Sequence, residues 1–137
     1  MNEENDVRLT ILVVEDIEET RDGIEKLLKV DGYRVEAARD ERDAVGCAQR
    51  KRPNLILISP GGSPRDVIAT ACHIRERAEL GENVPVVVFC VGEVGEGDEI
   101  AIGQNVYLTR PDNFNQLRNL LARLLDKNQM PLEVVIV

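Results

Sequence analysis

Five side chains in this sequence could do chemistry together: the acidic pair Glu15-Asp16, the hydroxyl of Ser59, the thiol of Cys90 and the cation of Arg110, which precedes Pro111. Adjacent carboxylates suit a hard divalent cation, which wants several oxygen ligands. A fixed guanidinium can neutralise a phosphoryl group or, by a bidentate fork, the carboxylates themselves. A serine hydroxyl becomes a nucleophile only beside a base. The single histidine, His73, falls in the middle of an expected helix and should not reach Ser59. A thiol is a weak donor, poor for gripping a phosphoryl oxygen. The set is laid out for phosphoryl chemistry, but its nucleophile is weak.

Each of these residues ends an apolar run. The runs cover 9–14, 34–38 (short and weak), 55–58, 84–91 and 106–109. The strong ones are near-continuous in Val, Ile and Leu, as strands buried on both faces are, which implies a parallel sheet covered by helices. Helical spacing appears between them. Ile17, Thr20, Ile24, Leu27 and Leu28 share a face, with Gly32 as a stop. Asp40 is placed to cap a helix over 41–50, and further helices are expected over 65–79 and 113–126. The fourth connection is rich in glycine, leaving only 98–103 for a stub of helix or an irregular loop. The order βαβαβαβ(α)βα predicts an α/β fold, doubly wound, with a five-stranded parallel sheet and a degenerate fourth helix. Sites in such sheets lie beyond the C-terminal strand ends, so Glu15-Asp16, Ser59, Cys90 and Arg110-Pro111 should converge on one crevice.

Composition bounds the partners. The 137 residues suit one domain, divided here into a polar start over 1–7, a folded unit over 8–126 and an apolar tail over 127–137 that reads as an extra strand or a linker. A net charge of −8 disfavours direct nucleic-acid binding, which begins with clustered Lys and Arg. Three widely spaced cysteines, Cys47, Cys72 and Cys90, show no zinc spacing and read as free thiols of a reducing cytoplasm. The acidic start is no signal peptide, and no run is long enough for a membrane helix, so no membrane partner is expected.

Four segments carry a resemblance. Ile11-Leu12-Val13-Val14-Glu15-Asp16, Pro53-Asn54-Leu55-Ile56-Leu57-Ile58, Pro85-Val86-Val87-Val88-Phe89 and Tyr107-Leu108-Thr109-Arg110-Pro111 resemble, in order and spacing, the receiver domain of bacterial two-component response regulators. The resemblance covers roughly 7–126 and implies a flavodoxin-like (βα)5 sandwich. It also implies an acidic pair that holds Mg²⁺, an Asp after the third strand that takes phosphoryl from a histidine kinase, a Thr or Ser after the fourth, and a Lys before a cis-Pro after the fifth. An aromatic on the fifth strand reports the state outward. Here Glu15 and Asp16 match the pair, Pro111 the cis-Pro position and Tyr107 the switch aromatic. Arg110 replaces the Lys, Cys90 the Thr or Ser, and Ser59 the phosphoacceptor.

The departures imply a pseudo-receiver: a signalling module, not an enzyme, that works by protein–protein contact without phosphorylation at Ser59. No cofactor is expected, and at most a weak Mg²⁺ site at Glu15 and Asp16. Arg110 is expected to pair with Asp16 or Glu15 in place of metal. Partners implied are a histidine kinase or an output domain, with a homodimer left open. Two alternatives stand beside this one: a phosphorelay receiver using another acceptor, such as Asp66 or Ser63, and, more distantly, a nucleotide- or flavin-binding enzyme.

Overall fold

The computed structural model describes residues 8–59, 64–89 and 92–129. Four strands alternate with the first three helices: β1 (Thr10–Val14), α1 (Glu18–Val30), β2 (Arg34–Ala38), α2 (Glu41–Arg50), β3 (Leu55–Ile58), α3 (Pro64–Arg77) and β4 (Val86–Phe89). Two more strands, β5 (Glu99–Gly103) and β6 (Val106–Thr109), precede the last helix, α4 (Phe114–Gln129). The sheet order is β2-β1-β3-β4-β6-β5. All neighbours are parallel except β5, which runs antiparallel to β6.

Alternate residues of the central strands feed two cores. Leu12, Val14, Ile56, Ile58, Val86 and Val88 pack against α2 and α3, through Ala44, Cys47, Ala48, Val67, Ala71 and Ile74. Ile11, Val13, Leu55, Leu57, Val87 and Phe89 pack against α1 and α4, through Ile24, Leu28, Leu117, Leu120, Leu121, Leu124 and Leu125. Burying each Leu or Ile this way contributes about 1.5–3 kcal/mol, which makes an aliphatic core sufficient without tryptophan.

Local chemistry sets the ends of the helices. Gly32 takes φ +95° after α1, and the Tyr33 amide donates back to the Leu28 carbonyl, a turn that a side-chain-bearing residue enters only with strain. The Asp40 carboxylate accepts from the Asp43 amide at 2.9 Å and caps α2. Replacing Asp40 by Ala is expected to cost about 1 kcal/mol in a urea unfolding titration, because one amide of the first turn then has no side-chain acceptor.

Three sequence expectations change. The segment expected as a stub of helix or a loop is a strand, β5, so the sheet has six strands and one antiparallel pair. Five residues make a marginal helix but a sufficient edge strand once β6 supplies hydrogen-bond partners. On the core side, Val94 of the glycine-rich connection is buried among the residues facing α3. The unit expected to end at 126 continues as helix to Gln129, and 130–137 lie outside the described residues. No peptide bond among the described residues is cis, so Arg110–Pro111 is trans and the cis-Pro expected at Pro111 is not formed. The trans form is the intrinsically favoured one, and here the flanking backbone is tied to the β5 hairpin: the Arg110 amide donates to the Asp98 carbonyl at 3.3 Å and its carbonyl accepts from Gly97 at 2.7 Å.

Candidate functional site

The strand order reverses at β1, which lies between β2 and β3. The register Val14↔Ile58 makes Glu15 and Ser59 the next residues up, side by side although 44 positions apart. Their backbones extend the ladder, with the Glu15 amide on the Ala38 carbonyl at 3.0 Å and the Ser59 amide on the Val14 carbonyl at 3.2 Å. A pocket of about 340 Å³ opens above them. Glu15 and Asp16 line it from β1, Ser59 from β3, Arg39, Asp40 and Glu41 from the turn into α2, and Asp66 and Thr70 from α3.

Glu15 is the buried acid of the site, only 6% exposed, and both its oxygens are engaged. The Ser59 hydroxyl donates to Oε1 at 2.5 Å, and the Ile17 amide donates to Oε2 at 3.0 Å. Arg21 of α1 donates to the Glu15 carbonyl at 3.0 Å, holding the same turn from outside. Asp16 beside it is exposed.

These donors do not fit a tightly held Mg²⁺. The ion wants near-ideal octahedral oxygen coordination with carboxylates free to turn toward it. Here one buried carboxylate is already spent on a hydroxyl and an amide, and the third ligand position offers a neutral oxygen. Among the described residues, no group of three or more His, Cys, Asp or Glu is arranged to hold a metal ion.

The expected pairing of Arg110 with Asp16 or Glu15 does not occur. Arg110 is exposed, stands outside the pocket lining, and is bound through its backbone to the β5 hairpin. An exposed ion pair contributes only about 0–1 kcal/mol, so nothing draws this cation across two strands into the crevice. The pocket's own cation is Arg39, which the sequence reading missed, and its Nε lies 3.7 Å from Asp43. The signal was available: β2 also ends at the crevice, so Arg39, Asp40 and Glu41 obey the same strand-end rule as Glu15 and Ser59.

The other expected positions fall as follows. Tyr107 is half-buried on β6, and its hydroxyl donates to Asn105 Oδ1 at 2.8 Å. Cys90 and Ser63 lie outside the described residues. His73 sits on α3 with Nδ1 3.7 Å from Glu41 Oε2, and does not line the pocket. Cys47 and Cys72 are free thiols, and burial, reinforced by Asp43, pushes the Cys47 thiol up and makes it a poor nucleophile. A second, more polar cleft of about 520 Å³ lies by Tyr33, Asp31 and Arg118. Arg118 clamps Asp31 through two bonds of 2.7 and 2.8 Å, while burial and the Asp31 charge push the Tyr33 phenol up.

No family model matches the chain. The aerobic respiration control protein ArcA of Escherichia coli (strain K12) is 28% identical over 123 residues, 85% of this chain and 50% of ArcA. The chain thus spans about half the length of the curated relatives it matches. The receiver domain of the sensor histidine kinase PA1611 from Pseudomonas aeruginosa PAO1, solved with magnesium in its active-site cleft, matches with TM-score 0.65 and 28% identity over 88% of this chain and 99% of that one. The fold is that of a response-regulator receiver domain. The chemotaxis response regulator CheY4 of Vibrio cholerae shares this receiver fold at TM-score 0.63 and 21% identity, over 86% of this chain and 99% of CheY4. The pocket lies at the sheet's switch point, as the strand ends required. No helix among the described residues is long and apolar enough to cross a membrane.

Proposed function

We propose that this receiver domain is a signalling module that acts by protein–protein contact and takes no phosphoryl group at Ser59. The bond from Ser59 Oγ to Glu15 Oε1 carries the reading. A carboxylate at position 59 would attack phosphorus unaided, whereas the hydroxyl needs a base, and the one it donates to, the Glu15 carboxylate, is a weak base that also accepts from the Ile17 amide. Among the described residues, five carboxylates and one cation, Arg39, line the pocket, a balance that repels an incoming phosphoryl anion. Mg²⁺ at Glu15 and Asp16 is at most weakly held. The same repulsion disfavours a bound nucleotide or flavin phosphate. The partners that receiver folds serve, a histidine kinase or an output domain, are the ones proposed here.

One observation favours a second reading. Asp66, in the first turn of α3, lines the same pocket and is a carboxylate. Incubating the chain with acetyl phosphate and Mg²⁺, then measuring intact mass, tests both. The unchanged mass is expected. A gain of about 80 Da would overturn the proposal, whether hydroxylamine-stable, as a phosphoserine at Ser59 is, or hydroxylamine-labile, as an acyl phosphate on a carboxylate is. If that gain disappears in Asp66→Asn, the phosphorelay reading with a displaced acceptor replaces it.

A further inference from the structure

The turn after α1 carries a chemistry of its own. The sequence holds two Asp-Gly steps, Asp22-Gly23 and Asp31-Gly32, and no Asn-Gly. In such a step the glycine amide nitrogen has no Cβ beside it and can attack the preceding side-chain carboxyl. A bond from that nitrogen to Cγ closes an imide ring, and the carboxyl OH leaves with the amide hydrogen as water. Water then reopens the ring. Attack at the side-chain carbonyl restores aspartate. Attack at the main-chain carbonyl leaves isoaspartate, whose chain runs on through Cβ and Cγ. The two steps sum to a rearrangement with no change in mass.

The fold guards the two steps by different means. Asp22-Gly23 lies inside α1, where the helix ladder holds the Gly23 amide. Asp31 is the C-cap of that helix, at φ −80° and ψ 1°, and Gly32 follows at φ +95°. The Gly32 amide donates to the Lys29 carbonyl at 3.0 Å, a bond at a helix end, where fraying begins. The Asp31 carboxylate is held from another helix. Arg118 of α4 donates through Nε to Oδ2 at 2.8 Å and through Nη2 to Oδ1 at 2.7 Å. The guanidinium is itself seated, with Nη1 on Asn115 Oδ1 at 2.9 Å and its plane beside the Phe114 ring. A fork of this kind fixes direction as well as contact. With both oxygens taken, the carboxyl cannot turn toward its own backbone, and ring closure also requires Asp31 to leave its present ψ.

We propose that Asp31-Gly32 is an isoaspartate-forming site that Arg118 holds shut. The clamp is partly exposed, so it opens by fluctuation and the site reacts slowly. The product lengthens the main chain at the turn into β2 and shortens the carboxylate by one carbon. The fork to Arg118 then cannot re-form. The contact from α1 to α4 is lost, and the polar cleft beside Tyr33 and Asn115 loses a wall. The rearranged residue is a substrate of the carboxyl-methyltransferase class, which transfers methyl from S-adenosylmethionine to isoaspartate. The site is separate from the Ser59 crevice and stands whether or not the crevice accepts phosphoryl.

Ageing the full chain and Arg118→Gln side by side in neutral buffer tests this. Trypsin places the two steps in separate peptides, because Arg21, Lys26, Lys29 and Arg34 flank them. Isoaspartate in each peptide is read by methyl uptake with a protein-isoaspartate methyltransferase. Arg118→Gln is expected to form it at position 31 about three- to tenfold faster than the parent, the factor that a well-formed but partly exposed fork supplies. Arg118→Lys keeps the charge without the fork and is expected to fall between. Position 22 is expected to react at the parent rate in both variants, and both steps of the parent are expected to speed up together in concentrated urea. Equal rates at 31 in the parent and Arg118→Gln would overturn the proposal. So would a parent that reacts at 31 as fast folded as in urea, or a rise at 22 matching the rise at 31, which would trace the effect to general unfolding.

Discussion

Ser59→Asp is expected to destabilise the metal-free protein by about 2–4 kcal/mol at pH 7 and to create a Mg²⁺ site at least tenfold tighter than the original. The substitution turns a hydrogen bond into a collision of like charges. Ser59 Oγ now lies 2.5 Å from Glu15 Oε1, and Glu15 is buried. Two carboxylates at about 4 Å repel by roughly 4 kcal/mol at an effective dielectric near 20, before either turns away. Such a pair shares a proton, which raises one pKa above its unfolded value of about 4. The sign follows from proton uptake. The folded state of the variant binds the extra proton, so the penalty is absent below about pH 4 and complete once pH exceeds the raised value. Mg²⁺ removes the penalty by the amount it binds, and a tenfold gain in affinity is only about 1.4 kcal/mol of the charge energy available. Urea titrations at pH 4 and pH 7, with EDTA or with Mg²⁺, read both effects. Ser59→Asn, isosteric but neutral, is expected to show neither. A variant equally stable at both pH values would mean that Glu15 and residue 59 do not share a pocket.

Leu57→Ala is expected to cost about 3–5 kcal/mol, the largest loss from a single truncation away from the site. Leu57 is fully buried on β3, between Val13 of β1 and Val87 of β4, in the core that α1 and α4 cover. A central strand held on both sides cannot collapse into the void, so the cavity term adds to the lost transfer energy. Against a typical domain stability of about 5–15 kcal/mol this is a large share. Leu27→Ala on α1 is the internal contrast: that side chain is 46% exposed, and its loss is expected to stay below about 1 kcal/mol. The urea midpoint should fall steeply for the first and barely for the second, with the slope m unchanged in both. Similar losses at the two positions would contradict the assigned core.

The sheet was legible wherever burial on both faces writes a continuous apolar run, as in Leu55-Ile56-Leu57-Ile58. β2 was faint because it is an edge strand, with only Ala38 of its residues fully buried. β5 was missed although Glu99-Ile100-Ala101-Ile102 alternates with a period of two, since the place it occupies is one where the resemblance implies a helix. Its order comes from β6, a tertiary partner that no local propensity reveals. At the site, the Glu15–Ser59 adjacency followed from strand ends alone. The position of Arg110 did not, because it depends on the β5 hairpin that holds its backbone, and Arg39 entered the pocket through the strand whose signal was weakest.

The Ser59 hydroxyl occupies the buried carboxylate that a metal would need. Following the backbone amide resonances of Glu15, Asp16 and Ser59 while the unaltered chain is titrated with Mg²⁺ reads that occupancy directly. Shifts that stay small and do not saturate below about 10 mM are the predicted result. A single-site curve saturating below about 1 mM would show the carboxylate released from Ser59 to the ion, and would contradict the account.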